Sequence, residues 1–247
     1  SGARNTIAVG AAAATVGIVV GVVTLTGVGF RLGYVVVQTA TDIGTFLSTF
    51  GPLAYFTVTQ WALFVSLVLI AFSCIIMGAG IPTTATYIIL VAVAAPALAQ
   101  LGVQPLVAHF FVFYYGVLAD ITPPVALAAY AAAGIAGSNP FQTGNTAFRL
   151  GIAKALVPFV FVYSPALLLV ADGFSWPAFF TTLLGAMLGI AAIGAAFSGF
   201  IFTAMHKWER WYVGLVGLLF VAPGLTTMAI ATAAIAPVLL LQWRRAR

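Results

Sequence analysis

The groups in this chain that could do chemistry sit at two short interruptions of otherwise apolar sequence. The first is Cys74–Tyr87, CIIMGAGIPTTATY, where Gly78, Gly80 and Pro82 break a hydrophobic run and Thr83, Thr84 and Thr86 follow at once. The second is Asp120–Val125, DITPPV, roughly forty residues further on. Proline lacks an N–H and clashes with the preceding turn, while glycine accepts almost any dihedral. Each break therefore frees backbone groups, and an unsatisfied one in hydrocarbon costs several kcal/mol unless protein, water or an ion meets it. Broken helices place half-helix N-termini, suited to an anion, and C-terminal carbonyls, suited to a small cation, at mid-membrane depth. Gly78 and Gly80 let the backbone approach closely, and Pro82, Pro123 and Pro124 free carbonyls. The hydroxyls of Thr83, Thr84 and Thr122 complete a neutral oxygen set of the kind that takes Na⁺. A pair of kinked helices whose freed groups are met by neighbours is the plainer alternative. Two breaks, each with threonine beside proline, weigh towards a site.

Asp120 is the only acid near the breaks, and a carboxylate inside a membrane is costly enough to be read as functional. It could coordinate a cation, carry a proton or make a gate contact, or it could cap the helix that follows from a hydrated loop. Thr84, Asp120 and Pro124 are the residues placed at substrate or gate, and Gly78, Gly80, Pro82, Thr83, Thr122 and Pro123 those placed at an ion. His109, in VAHFFVFYYG, reads as a hydrogen-bonded packing residue, because nothing near it completes a metal set. Tyr114, Tyr115 and Tyr130 read as packing or interface residues, and Asp42 as part of a wet helix face.

The surrounding chain explains why such breaks matter. Of 247 residues 63% are hydrophobic and only 5% charged, and mean hydropathy is +1.18. A soluble domain is about half apolar and about a quarter charged, so this is an integral membrane protein. Its apolar runs far exceed the roughly ten-residue alternating strands of a membrane barrel, which makes it all-α and polytopic. The net charge of +5 comes from basic residues scattered at helix ends, a topological signal and not a nucleic-acid surface. A lone cysteine, Cys74, excludes an intrachain disulfide and reads as a buried inert thiol. No Walker, HExxH or GxSxG motif is present, and the GxG at Gly78–Gly80 runs into Ile-Pro instead of a phosphate loop. The chain is not expected to be an enzyme.

Four regions follow. Residues 1–52 hold a spanning helix, Ile7–Val28, and the polar stretch Phe30–Phe50, expected as an amphipathic or interior helix. Residues 53–137 hold the breaks. Leu53–Met77 runs to the first, and Pro82 to Gln100 leaves it, about 18 residues or ~27 Å of helix. The tip carries no charge, so these arms are expected to form a re-entrant hairpin. Leu106–Ala119 and Ala126–Ala136 are each too short to span and together read as one discontinuous helix. Residues 138–172 are a polar connection, Ser138–Arg149, and the span Phe148–Val170. Residues 173–247 hold a turn at Asp172–Pro177, a span over Ala178–Thr203, a charged loop HKWER at His206–Arg210, and a last segment, Val213–Gln242, broken at Pro223–Gly224. Trp208, Trp211, Tyr212 and Trp243 read as interface anchors. Arg149 and Lys154 group with Lys207 and Arg210 on the cytoplasmic side, which opens the hairpin to the outside. A basic C-terminus on that same side requires the last segment to enter and return, or the rule to fail there. The start SGARNT, without Met, reads as the C-terminal portion of something longer or one half of a split protein.

At the breaks a family resemblance becomes specific. MGAGIPTTATYI and LGVQPLVAHFFVFYYGVLADITPPVALAAYAAAGIAGSNP resemble the C-terminal half of the large membrane subunit of TRAP transporters, nearest to the fused TAXI-type permeases. The likeness is best from about Arg4 to Leu169, and looser from Ala178 onward. It implies a secondary importer of organic acids in the inner membrane of a bacterium or archaeon, driven by a sodium gradient and needing no cofactor beyond Na⁺. Its partners would be an organic-acid substrate, an extracytoplasmic binding protein, a small membrane subunit and the rest of the permease. It also implies an elevator mechanism built on two inverted repeats, of which one hairpin and one discontinuous helix are present in this sequence. Gly78–Thr84 and Asp120–Pro124 would be the second repeat's ion and substrate face, with ligation largely through backbone carbonyls. The alternatives are proton coupling through Asp120, a non-transporting membrane scaffold or receptor fragment, and an intramembrane enzyme, which the lack of an acid–base constellation opposes.

Overall fold

The computed structural model describes residues 14, 17–18, 21–22, 25–51, 56–78, 83–169, 174–222 and 224–246. Among them the fold is all-α, with no strand beyond an isolated bridge between Phe200 and Ala204. Five helical stretches are long and apolar enough to cross a bilayer: Val58–Gly78, Thr83–Gln100, Pro140–Tyr163, Trp176–Ser198 and Leu225–Ala246. The protein is a polytopic helical membrane protein. It divides into two compact units, Ser1–Ala128 and Ala129–Arg247. The expected first span, Ile7–Val28, lies mostly outside the described residues.

In the first unit, α1 (Val28–Ser48), α2 (Val58–Gly78), α3 (Thr83–Gln100) and α4 (Pro105–Ala119) pack on one another. In lipid there is no water to expel, so helices associate through close backbone approach, and small residues mark the contacts. A Cβ at Gly44 would stand 3.0 Å from the Val58 carbonyl oxygen, and one at Gly33 would stand 3.3 Å from Ala97 Cβ. Thus α1 touches the first turn of α2 and the last turns of α3, both remote from the Gly78–Thr83 connection, and crosses the two arms near their open ends. The buried side of α1 carries Gly33, Ala40 and Gly44, whereas Arg31, Gln38, Asp42 and Thr45 are exposed. At 3.6 residues per turn those four lie opposite the glycines. Phe30–Phe50 is therefore amphipathic, and Asp42, 3.3 Å from Gln38 Nε2, sits on its polar side. The interior of the unit is filled by Leu67 and Cys74 of α2, Leu98 of α3, and Phe111, Val112 and Leu118 of α4, all fully or almost fully buried.

Helix α5 (Leu127–Ala136) opens after the second break and carries the chain into the second unit. The expected polar connection Ser138–Arg149 is itself a helix, α6 (Pro140–Gly151). Asn139 caps it, its side chain accepting from Gln142 N–H at 3.1 Å, and Pro140 takes the first position, where a missing N–H costs nothing. A 3₁₀ turn, Ile152–Leu156, joins it to α7 (Val157–Tyr163). Pro158 cannot donate to the Lys154 carbonyl four residues back, and the chain tightens there. The span ends at Tyr163, ahead of Pro165, earlier than the expected Val170.

Helices α8 (Trp176–Ser198), α9 (Lys207–Val221) and α10 (Leu225–Ala246) complete the second unit. Glycines bring α8 and α9 into near-backbone contact: a Cβ at Gly185 would lie 2.6 Å from the Phe220 carbonyl oxygen, and one at Gly189 2.9 Å from that of Gly217. Two expectations change in this region. HKWER is the first turn of α9 and not a loop, because Glu209 accepts from the His206 backbone N–H at 2.8 Å and closes a capping box, and an acid in a first turn suits the helix dipole. Pro177 lies inside the first turn of α8 and not in the preceding turn; Asp172 lies outside the described residues. The last segment is two helices divided around Gly224 (Pro223 is outside the described residues), and its end returns to its beginning.

Candidate functional site

The end of α2, at the first break, meets the end of α4, just ahead of the second. A Cβ placed on Gly78, the last residue of α2, would stand 2.6 Å from Ala119 Cβ, 3.4 Å from Thr86 Cγ2 and 3.5 Å from the Gly116 carbonyl oxygen. The end of the approach arm, the first turn of the departing arm and the end of α4 thus converge on one point, with Gly78, Thr86, Gly116 and Ala119 all buried. Only a residue without a side chain fits at Gly78. Gly80 and Pro82, the other two tip residues singled out by the sequence, lie outside the described residues.

Beyond Ala119 the chain leaves the α-helix by tightening. Asp120 N–H donates to Val117 at 3.3 Å, Ile121 N–H to Leu118 at 3.2 Å and Thr122 N–H to Ala119 at 3.0 Å. Thr122 Oγ1 donates back to the Leu118 carbonyl at 2.8 Å, so this hydroxyl closes the end of α4. The Pro123–Pro124 peptide is cis. Past it, the Ala126 N–H donates to the Thr122 carbonyl at 3.2 Å and the Ala128 N–H to the Asp120 carbonyl at 3.1 Å. The break is a closed loop and not an open gap. Ala126 is fully buried and holds φ at 37°, a left-handed conformation that costs a residue with a Cβ about 1–2 kcal/mol. Among the described residues the Pro123 carbonyl accepts no backbone N–H.

The threonines divide. Sequence put Thr83 and Thr84 at the tip, whereas both are in the first turn of α3, Thr83 half-buried and Thr84 exposed. Thr86 is the threonine buried at the convergence, and its place three residues after Thr83 is the signal that sequence offered for it. Asp120 is half-buried at the end of α4. It meets the first turn of α5 through its backbone carbonyl, which accepts from the Ala128 N–H at 3.1 Å. Pro123 is half-buried and Pro124 exposed.

His109 makes the contact expected of a packing histidine: its Nδ1 lies 2.7 Å from the hydroxyl of Tyr87, which ties α4 to α3. Tyr87 also meets Phe113 edge-on at 5.8 Å. Tyr115 is buried against Phe111 at 5.0 Å. No group of three or more His, Cys, Asp or Glu residues capable of holding a metal ion occurs among the described residues, and Cys74 is free and fully buried.

Comparison with curated proteins and with solved structures returns no match for the chain. A family model does match, over residues 1–175, and that stretch holds both breaks and the contact between the ends of α2 and α4; the α8–α10 bundle lies beyond it. Over seven-tenths of its length, then, the chain belongs to the DctM component of the tripartite ATP-independent periplasmic transporters.

Proposed function

We infer that this chain is one repeat's worth of the moving part of a sodium-coupled importer. In this reading it carries small organic anions, such as dicarboxylates or acidic amino acids, delivered by an extracytoplasmic binding protein. It works with a small membrane subunit and the remainder of the permease in a bacterial or archaeal inner membrane, and is of the TAXI type. The observation that supports the reading best is the contact of Gly78 with Ala119 and Gly116, which brings the end of the approach arm against the end of α4, just ahead of the second break, in a membrane protein of this family. Ion ligands would come from the Gly78–Thr83 turn and from Thr122 and Pro123. Thr84, Asp120 and Pro124 would face substrate or gate. Backbone oxygens and hydroxyls at such a point suit a cation that a neutral, partly dehydrated cage can hold.

Thermal stability of the assembly containing this chain, titrated with Na⁺ against K⁺ at constant ionic strength, tests the reading. A ligand that binds only the folded state stabilises by RT ln(1 + [L]/Kd), about 2.7 kcal/mol at a hundredfold excess over Kd. A sodium-specific rise that Thr122→Val removes is the expected result. Identical Na⁺ and K⁺ curves would exclude sodium coupling and make Asp120 and a proton gradient the next candidates.

A further inference from the structure

The α8–α10 bundle, beyond the part matched to the family, brings three helix ends together. Arg210 donates from Nε to the Ala196 carbonyl at 2.8 Å and from a terminal nitrogen to Phe197 at 3.0 Å, fixing the start of α9 to the end of α8. Arg245, at the end of α10, pairs with Glu209 in the first turn of α9 at 2.6 Å. Lys207, in the first turn of α9, and Arg244, in the last turn of α10, therefore lie at the same end of the bundle, both exposed and neither in an ion pair among the described residues. Among the described residues four cations share this end with one acid, Glu209, which is wholly buried in its own network.

The same end is ringed with aromatic side chains turned outward. Trp211 is 77% exposed, Trp208 53% and Phe202 51%. Rings so exposed are unfavourable in bulk water and favoured at headgroup depth, which is where the candidate spans α8 and α10 end. Exposed cations within an aromatic rim complement the phosphate of an anionic lipid, and guanidinium and ammonium groups are its usual partners.

We propose that Lys207, Arg210, Arg244 and Arg245, rimmed by Trp208 and Trp211, form a binding site for the headgroup of an anionic phospholipid. Glu209 and the α8 carbonyls hold two of the cations in place. Lys207 and Arg244 supply the uncommitted charge, each worth roughly fivefold in affinity at a membrane surface.

The full chain, held in neutral detergent micelles, is titrated with short-chain phosphatidylglycerol, with the matching phosphatidylcholine, and with inorganic phosphate; tryptophan fluorescence and melting temperature are read together. Phosphatidylglycerol should bind and stabilise, and the other two should not. The double variant K207Q/R244Q, which leaves the Glu209 pair and the Arg210 contacts intact, should bind at least tenfold more weakly with an unchanged melting temperature in lipid-free micelles. The control R149Q/K154Q, with the same charge loss, should bind as the parent does. On the unmodified protein, about 1 M salt, where the Debye length is about 3 Å, should abolish the difference between the two lipids. Equal response to both lipids, an equal response to inorganic phosphate, an equal loss in the control variant, or a lipid preference that survives high salt would each overturn the proposal.

Discussion

Arg245 Nη1 stands 2.6 Å from Glu209 Oε1, across 36 residues of sequence. The Glu209 carboxylate has no exposure to solvent, and its other oxygen accepts from Gln242 Nε2 at 2.8 Å and from the His206 N–H at 2.8 Å. Gln242 in turn accepts from the Thr203 N–H at 3.1 Å and its hydroxyl at 2.7 Å. The pair closes a hairpin, because the start of α9 and the end of α10 have to lie side by side for it to form. The sequence left two options for the basic C-terminus, an entering and returning last segment or a failure of the charge rule there, and the contact sets the end of that segment beside the start of α9.

The two partners of this pair should not be equally sensitive. Arg245 is 39% exposed in its side chain and can turn to water when Glu209 becomes Gln, so that change should cost about 1–2 kcal/mol. Arg245→Leu leaves a buried carboxylate without its counter-charge and should cost about 3 kcal/mol at neutral pH. Burial would raise the Glu209 carboxyl, but the His206 N–H, the Arg245 charge and the Gln242 and Arg245 side-chain hydrogen bonds outweigh it and hold its pKa below the ordinary glutamate value. A depressed carboxylate stabilises above its unfolded pKa, about 4.3, and that contribution disappears as pH falls through the lower folded value. Melting curves between neutral pH and pH 3 should show this loss in the parent and not in Glu209→Gln. A parent and variant that fall in parallel would refute the linkage.

The same contact predicts a topology that labelling can read. Cys74 is fully buried, so a membrane-impermeant maleimide should leave the parent unmodified. Lys207→Cys and Arg244→Cys should label from one side of the membrane, the cytoplasmic one by the distribution of basic residues. Gln100→Cys, at the open end of the hairpin, should label from the other. Labelling of positions 207 and 244 from opposite faces would mean that the last segment crosses, and would break the hairpin.

What the sequence made legible was the placement of breaks, and what it hid was the packing between them. Gly78, Pro123 and Pro124 announce themselves, since no apolar helix runs through them unaltered. The helix ends at Gln100 and Ala119 follow from a local change in composition. That Thr86 and not Thr84 lies at the convergence depends on the phase of α3, and the phase is set by a helix that begins at Thr83, earlier than the apolar run suggests. HKWER looks like a loop because charges seldom lie in a span. Its helical start depends on Glu209 finding the His206 N–H and Arg245, a partner 36 residues away that no local pattern announces. Ala126 gives no sign in sequence of its left-handed backbone, because that conformation is imposed by the loop that closes around it.

The glycines between α8 and α9 offer a test of close packing as the force that holds this bundle. A Cβ at Gly185 meets the Phe220 carbonyl at 2.6 Å, and backbone cannot move aside as a flexible side chain would. Gly185→Ala should therefore push the helices apart and lower stability by about 1–3 kcal/mol, despite the better helix propensity of alanine. Gly194→Ala, where nothing stands within 4 Å, should be neutral or slightly stabilising. Melting temperatures of the two variants in one detergent decide the matter, and equal effects would show that the α8–α9 approach is looser than described.

A parallel comparison at the breaks separates the working of the site from its folding. Gly78→Ala has no room, with Ala119 Cβ at 2.6 Å on a side chain too short to swing away, whereas a Cβ on Gly116 would have Thr86 Cγ2 at an ordinary 3.8 Å. The first change must separate the hairpin tip from the end of α4 by about an ångström; the second leaves both where they are. If ion binding needs the tip and the break in register, Gly78→Ala should lose the sodium-dependent rise in stability and reduce uptake in the assembled transporter at least tenfold, since an ångström of misplacement can cost about two orders of magnitude in rate. Its stability without sodium should drop by only about 1–3 kcal/mol, the usual cost of overpacking. Gly116→Ala should keep sodium binding and uptake near the parent's. Were both variants to transport normally, contact between tip and break would be packing alone, and the ion site would have to be sought away from Gly78 and Ala119.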